Sequence, residues 1–124
     1  MKHCLVVDDS GSIRKVAQRI LQAEKFRTSE ATTRAEAVEQ CRREMPDCII
    51  VDWQMPDGDA MAFMGQLRSL PGGDKVKILY MTSENDPVHV ARALRSGADA
   101  HMMKPFDRET FLGPLVAAGV LQAA

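Results

Sequence analysis

The 124-residue chain has no apolar run approaching the ~20 residues that span a bilayer. Its start, "MKHCLVVDDSG", meets charge too soon to serve as a secretory h-region. Charge of one sign is missing too, since 16 Lys and Arg against 17 Asp and Glu leave a net −1. No polybasic field is available to hold nucleic acid or an anionic membrane. The cysteines Cys4, Cys41 and Cys48 are odd in number and lack CxxC spacing. They read as reduced core thiols, not as a disulfide scaffold or a zinc site. Internal repeats, low-complexity segments and linkers are also lacking. The expectation is one soluble, cytoplasmic domain able to bury a core.

What is present is an alternation. With 45% hydrophobic and 27% charged residues, apolar runs take turns with segments of helical period. Strands are predicted at residues 3–7, about 27–31, 48–52, 76–81 and 99–103. Ile13, Val16, Ala17, Ile20 and Leu21 form the stripe of a first helix. Thr33 with Glu36 reads as a capping box for the second, and Ala60, Phe63, Met64 and Leu67 mark the third. Asp86-Pro87 reads as N-cap and first residue of the fourth helix, Gly97 as its stop, and Asp107 as the start of a fifth. The conspicuous loop is "LPGGDK" at 70–75. Five strand–helix units with buried, unalternating strands predict an α/β fold, a doubly wound parallel sheet covered on both faces. The site of such a sheet lies outside the carboxyl ends of its strands.

Those ends carry the chemistry. "CIIVD" drives four apolar residues into Asp52, and "CLVV" runs into Asp8 and Asp9. The fourth strand ends near Thr82-Ser83 and the fifth near Lys104-Pro105. A parallel sheet brings all of them to one edge. Carboxylates within about 5 Å repel by roughly 3 kcal/mol per pair at an effective dielectric near 20. A hard divalent cation would offset this, and carboxylates with a carbonyl and waters are the ligands magnesium prefers. A carboxylate beside a lysine and a hydroxyl has the parts for phosphoryl transfer. The residues alone leave open which aspartate is the nucleophile. Asp8 and Asp9 could each merely cap the first helix, and Thr82, Ser83 and Lys104 could be ordinary strand-end residues.

Four motifs in order carry a resemblance that bears on these alternatives. "VVDDS" at 6–10, "VDWQMP" at 51–56, "MTSE" at 81–84 and "MKPF" at 103–106 resemble a response-regulator receiver domain of the CheY type, over the whole chain. The resemblance implies a flavodoxin-like (βα)5 fold with strand order 2-1-3-4-5 and one receiver domain over 1–124, without an output domain. It implies Asp52 as phospho-acceptor, and Asp8, Asp9, Asp52 and the Gln54 backbone carbonyl as ligands of Mg2+. Thr82 would be the switch hydroxyl beside Ser83, and Lys104 would bind the phosphoryl group, ahead of a cis peptide to Pro105. Gln54 and Glu84 would modulate dephosphorylation. His101 takes the position of the family's usual aromatic switch residue, and an imidazole there titrates near neutrality.

Departures from the pattern are Ala60, where a glycine is common, and Gly113-Pro114, which should kink or shorten the fifth helix. Trp53 reads as packing or local shielding, and the eight methionines as core filler. The expected function is a stand-alone two-component response regulator that catalyses only its own phosphorylation and dephosphorylation. Its partners would be a histidine kinase or phosphotransfer protein and a downstream protein, with no nucleic acid and no membrane. Residues 82–109 are similar to chemotaxis-type regulators, which points to motility or a phosphorelay. The competing readings are a phosphate-independent adaptor and an aspartyl-phosphate hydrolase of the haloacid dehalogenase kind. The latter needs a D-x-D pair and a cap, whereas here the aspartates are adjacent and the chain is short.

Overall fold

Strands and helices alternate through the chain in the computed structural model, which describes residues 1–55, 57–83 and 87–122. In order they are β1 (His3–Val7), α1 (Gly11–Ala23), β2 (Arg27–Ala31), α2 (Arg34–Arg43) and β3 (Cys48–Asp52). There follow α3 (Ala60–Ser69), β4 (Lys77–Thr82), α4 (Pro87–Arg95), β5 (Ala100–Met103) and α5 (Arg108–Ala117). All neighbouring strands pair in parallel, in the order β2-β1-β3-β4-β5. The doubly wound sheet and its order are those expected.

Why the central strands read as solid apolar runs is now visible. Leu5, Val7, Ile49, Val51, Ile78 and Tyr80 face a core shared with α2 and α3. Cys4, Val6, Cys48, Ile50, Leu79, Met81 and Met102 face a second core with α1 and α5. Both faces are buried, so no alternation survives in β1 or β3. The edge strands behave differently. β2, "RTSEA", buries only Ala31 fully, and β5 alternates buried with half-buried positions. The expectation of unalternating strands therefore fails at both edges, where one neighbour and part of one cover are lacking.

Other expectations shift by a residue or a role. Val16 is largely solvent-facing, while Ala17 and Leu21 are buried and Ile13 and Ile20 pack at the core margin. Thr33 caps α2 by accepting from the Glu36 N–H, but the Glu36 carboxylate meets the Thr32 hydroxyl at 3.2 Å, so the box is half-made. A reciprocal box occurs instead at Asp107 and Thr110. α4 begins at Pro87, and Asp86 lies outside the described residues. Gly97 stops α4 with φ +122, donating to Leu94 while Ala98 donates to Ala93, the paired bonds of a Schellman end. α5 continues through Pro114 to Ala117 and equals α2 and α3 in length, so the proline does not shorten it. The turn after the proline stays bonded, with the Ala118 N–H reaching the Pro114 carbonyl at 2.9 Å, and Phe111 and Leu115 are fully buried on either side of it.

The three cysteines are free and buried, and burial pushes the Cys41 thiol up to about 11. Met55, Met64, Met81 and Met102 fill the cores as expected. Among the described residues, no helix is long and apolar enough to cross a membrane.

Candidate functional site

Parallel pairing carries β1, β3, β4 and β5 to a common edge, and each strand delivers its functional side chain just where the ladder ends. Asp8 follows β1, and its N–H extends the ladder by one bond to Ala31. Its Oδ1 accepts from the Ser10 N–H at 2.9 Å. Ser10, not either aspartate, caps α1, with its hydroxyl facing the Ile13 N–H. Helix capping therefore does not account for Asp8 and Asp9.

Asp52 is the last residue of β3 and is 5% exposed. Its Oδ1 accepts from the Gln54 N–H at 3.1 Å, which orients the carboxylate toward the loop. Asp8 is buried with it and Asp9 is exposed, and carboxylate oxygens of all three lie within 4.8 Å of one another. Lys104 enters from the end of β5, where its N–H donates to the Thr82 carbonyl at 3.0 Å. Its Nζ stands 2.9 Å from Asp8 Oδ2 and 3.5 Å from Asp52 Oδ2. The peptide from Lys104 to Pro105 is cis. Thr82 ends β4, is 1% exposed, and pairs in register with Met103.

Electrostatics favour one further cation. Burial raises the Asp8 carboxyl above its ordinary range and the Asp52 charge adds to this, against the Ser10 N–H and Lys104. Burial alone would lower Lys104, but Asp8 and Asp52 outweigh it and hold the ammonium above its usual value. Among the described residues the Lys104 ammonium pairs with Asp8 and Asp52, while carboxylates of three aspartates converge. Asp8 Oδ2 accepts no hydrogen bond other than the Lys104 contact among the described residues. An all-oxygen acidic cluster with a free lone pair and one solvent-exposed member suits a hard divalent cation that keeps its waters.

The remaining expected residues lie around this cluster. Ser83 donates from its hydroxyl to Gln54 Oε1 at 3.0 Å, linking the loops after β4 and β3. His101 packs its ring 5.3 Å from Tyr80, which in turn meets Trp53 at 5.0 Å. Burial lowers the His101 imidazole below its ordinary value, and its Nε2 has no hydrogen-bond partner among the described residues. Glu84 lies outside the described residues. Ala60 opens α3 behind its cap Asp59, and Gly58 takes the left-handed φ of +97, so no glycine is required at 60. Trp53 is a packing residue, as expected, at the margin of the α2–α3 core. Two residues were not foreseen. Tyr80 joins Trp53, just past the end of β3, and His101 of β5 into a row of rings. Arg34 is buried behind the Asp52 loop and touches its backbone.

Residues 4–115 match the response regulator receiver domain family. The chain belongs to it. This receiver domain is 31% identical to the chemotaxis protein CheY4 of Vibrio cholerae, covering 98% of this chain and 99% of that one with a TM-score of 0.88. It is 33% identical to the response regulator MprA of Mycobacterium leprae over 91% of this chain and 49% of that protein. It is 28% identical to the phosphate regulon transcriptional regulatory protein PhoB of Escherichia coli over 94% of this chain and 51% of that protein. The receiver domain thus spans about half the length of these two curated relatives. Phosphorylation on aspartate is general to this family.

Proposed function

We propose that residues 1–124 form a single receiver unit that takes a phosphoryl group from a phosphohistidine onto Asp52. The observation that carries this is the setting of Asp52: buried at the end of β3, with Lys104 Nζ at 3.5 Å and the Asp8 and Asp9 oxygens within 4.8 Å. The Asp52 carboxylate attacks phosphorus, the phosphorus–nitrogen bond breaks, and the imidazole leaves with a proton from water. Lys104 neutralises charge on the phosphoryl oxygens, and Thr82 hydrogen-bonds one of them. Asp8, Asp9, Asp52 and the Gln54 carbonyl would hold Mg2+, which supplies charge neutralisation at those same oxygens.

The new charge, near −2, draws Thr82 inward, and His101 follows on the same face of the sheet. Gln54 and Glu84 set how long the phosphoryl group stays. Chemistry ends there: the unit is a switch that turns over its own phosphoryl group and no external substrate. Output passes through protein contact. The near-neutral net charge of −1 supports a protein target over nucleic acid or membrane. The likeness to a chemotaxis protein over 99% of that chain supports a motility or phosphorelay role beside a cytoplasmic histidine kinase or phosphotransfer protein.

Mass spectrometry after treatment with acetyl phosphate and magnesium tests the reading. One phosphoryl adduct should form on the parent and none on Asp52→Asn. A folded parent that takes no phosphate would mark a phosphate-independent adaptor. Turnover of a small phosphate ester would mark a hydrolase.

A further inference from the structure

Arg34 is the first residue of α2, and only 3% of it is exposed. A cation at that position opposes the helix dipole, so helix stability does not explain it. A buried guanidinium must also be matched by acceptors. The two terminal nitrogens of Arg34 find them on the loop between β3 and α3, while its buried Nε has no hydrogen-bond partner among the described residues. Its Nη1 donates to the Gly58 carbonyl at 2.6 Å. Its Nη2 donates to the Trp53 carbonyl at 2.7 Å and reaches the Asp52 carbonyl at 3.3 Å. The Arg34 backbone N–H donates to Asp57 Oδ2 at 2.8 Å, and that of Ala35 reaches the same oxygen at 3.4 Å.

One residue therefore ties down both ends of the segment that begins at Asp52, includes Gln54 and closes at Gly58. Among the described residues Arg34 makes no ion pair, so its fork is committed to backbone carbonyls. The planar guanidinium sets several directions at once, which a lysine ammonium cannot do.

We infer that Arg34 is a positioning residue for phosphoryl transfer: by clamping the Asp52, Trp53 and Gly58 carbonyls it fixes the Asp52 carboxylate and the Gln54 carbonyl against Asp8 and Asp9. This rests on the reading of Asp52 as the acceptor. Arg34 touches no reacting atom and acts through the loop. Misplacement of a reacting group by about 1 Å can cost on the order of a hundredfold in rate.

The test compares the parent, Arg34→Lys and Arg34→Ala, each checked for folding by circular dichroism. The rate of phosphorylation by acetyl phosphate is followed against magnesium concentration. Arg34→Ala should lose roughly tenfold or more in rate at saturating donor and need more magnesium for half-maximal rate. Arg34→Lys should keep the fold and the charge yet lose most of the same rate, because the fork is gone. Low millimolar methylguanidinium should restore part of the rate to Arg34→Ala, which a loss of global stability would not allow. Should Arg34→Ala fail to fold, Arg34→Lys decides alone. A folded Arg34→Lys with parental rate and parental magnesium dependence overturns the inference and leaves the Asp52 reading intact. A parent that takes no phosphate at all overturns both.

Discussion

The Ser83 hydroxyl donates a 3.0 Å hydrogen bond to Gln54 Oε1, so the loop after β4 is latched to the loop after β3 above the Asp52 carboxylate. Both side chains are exposed, which sets them on the solvent side of the cluster. A glutamine so held presents its amide in one orientation, able to place a water by donating to it.

Loss of either partner should change the lifetime of the aspartyl-phosphate more than the yield of phosphorylation. A neutral hydrogen bond worth about 1 kcal/mol corresponds to roughly a fivefold change in rate. Gln54→Ala and Ser83→Ala should each move the decay by about that factor. The measurement is the loss of labelled phosphate after the donor is removed. Decay identical to the parent's in both variants would put these side chains away from the water's path.

Magnesium should stabilise the unphosphorylated domain, because the three carboxylates converge only when the sheet is formed. At ten times the dissociation constant the gain is about 1.4 kcal/mol. Trp53 adjoins Asp52, and its backbone N–H is fixed to the Met81 carbonyl at 2.8 Å, so the indole stays close to the cluster and its fluorescence should respond. Asp8→Asn should remove most of the magnesium dependence of thermal unfolding. Unfolding and fluorescence both indifferent to millimolar magnesium would rule the cluster out as a metal site.

Acid should weaken the fold through His101. Burial lowers its imidazole in the folded state, so the unfolded chain binds the proton more readily. Stability is then lost as pH falls below the unfolded value of about 6.5 toward the lower folded one. His3 carries the same sign, chiefly through burial and then Arg27, against Glu44 and Asp47. Asp8 acts oppositely and lower down: its raised carboxyl returns stability as pH falls from its folded value toward the unfolded one. His101→Phe keeps the ring on Tyr80 and removes the proton site. Thermal melts between pH 7.5 and 5.5 should show the parent falling faster than this variant. Parallel melting curves for the two would show that the imidazole is free to meet water.

How much of this was legible in the residues depends on the range over which each feature is decided. The apolar runs of β1, β3 and β4 state their own burial, since both faces of an inner parallel strand must be covered. Asp8, Asp9, Asp52, Thr82 and Lys104 could be grouped from sequence because parallel pairing sends every carboxyl end to one edge. Which of the three aspartates would accept a phosphoryl group is implied only by the resemblance of the four motifs, since charge alone does not distinguish them.

Tertiary structure decided what depends on neighbours distant in the chain. Val16 fits an apolar stripe by spacing, yet it is left exposed on the solvent side of α1. Ser10 took the α1 cap that either aspartate could have filled. Arg34 sits at a helix start where sequence reads a solvated cation, and only the folded loop supplies the Asp52, Trp53 and Gly58 carbonyls that let it be buried. Tyr80 reads as one more apolar strand residue until β3 and β5 bring Trp53 and His101 against it. Periodicity encodes which way a side chain points. What it meets there is set by backbone and side chains that only folding brings close, as when Lys104 from the end of β5 meets the Asp52 carboxylate at the end of β3.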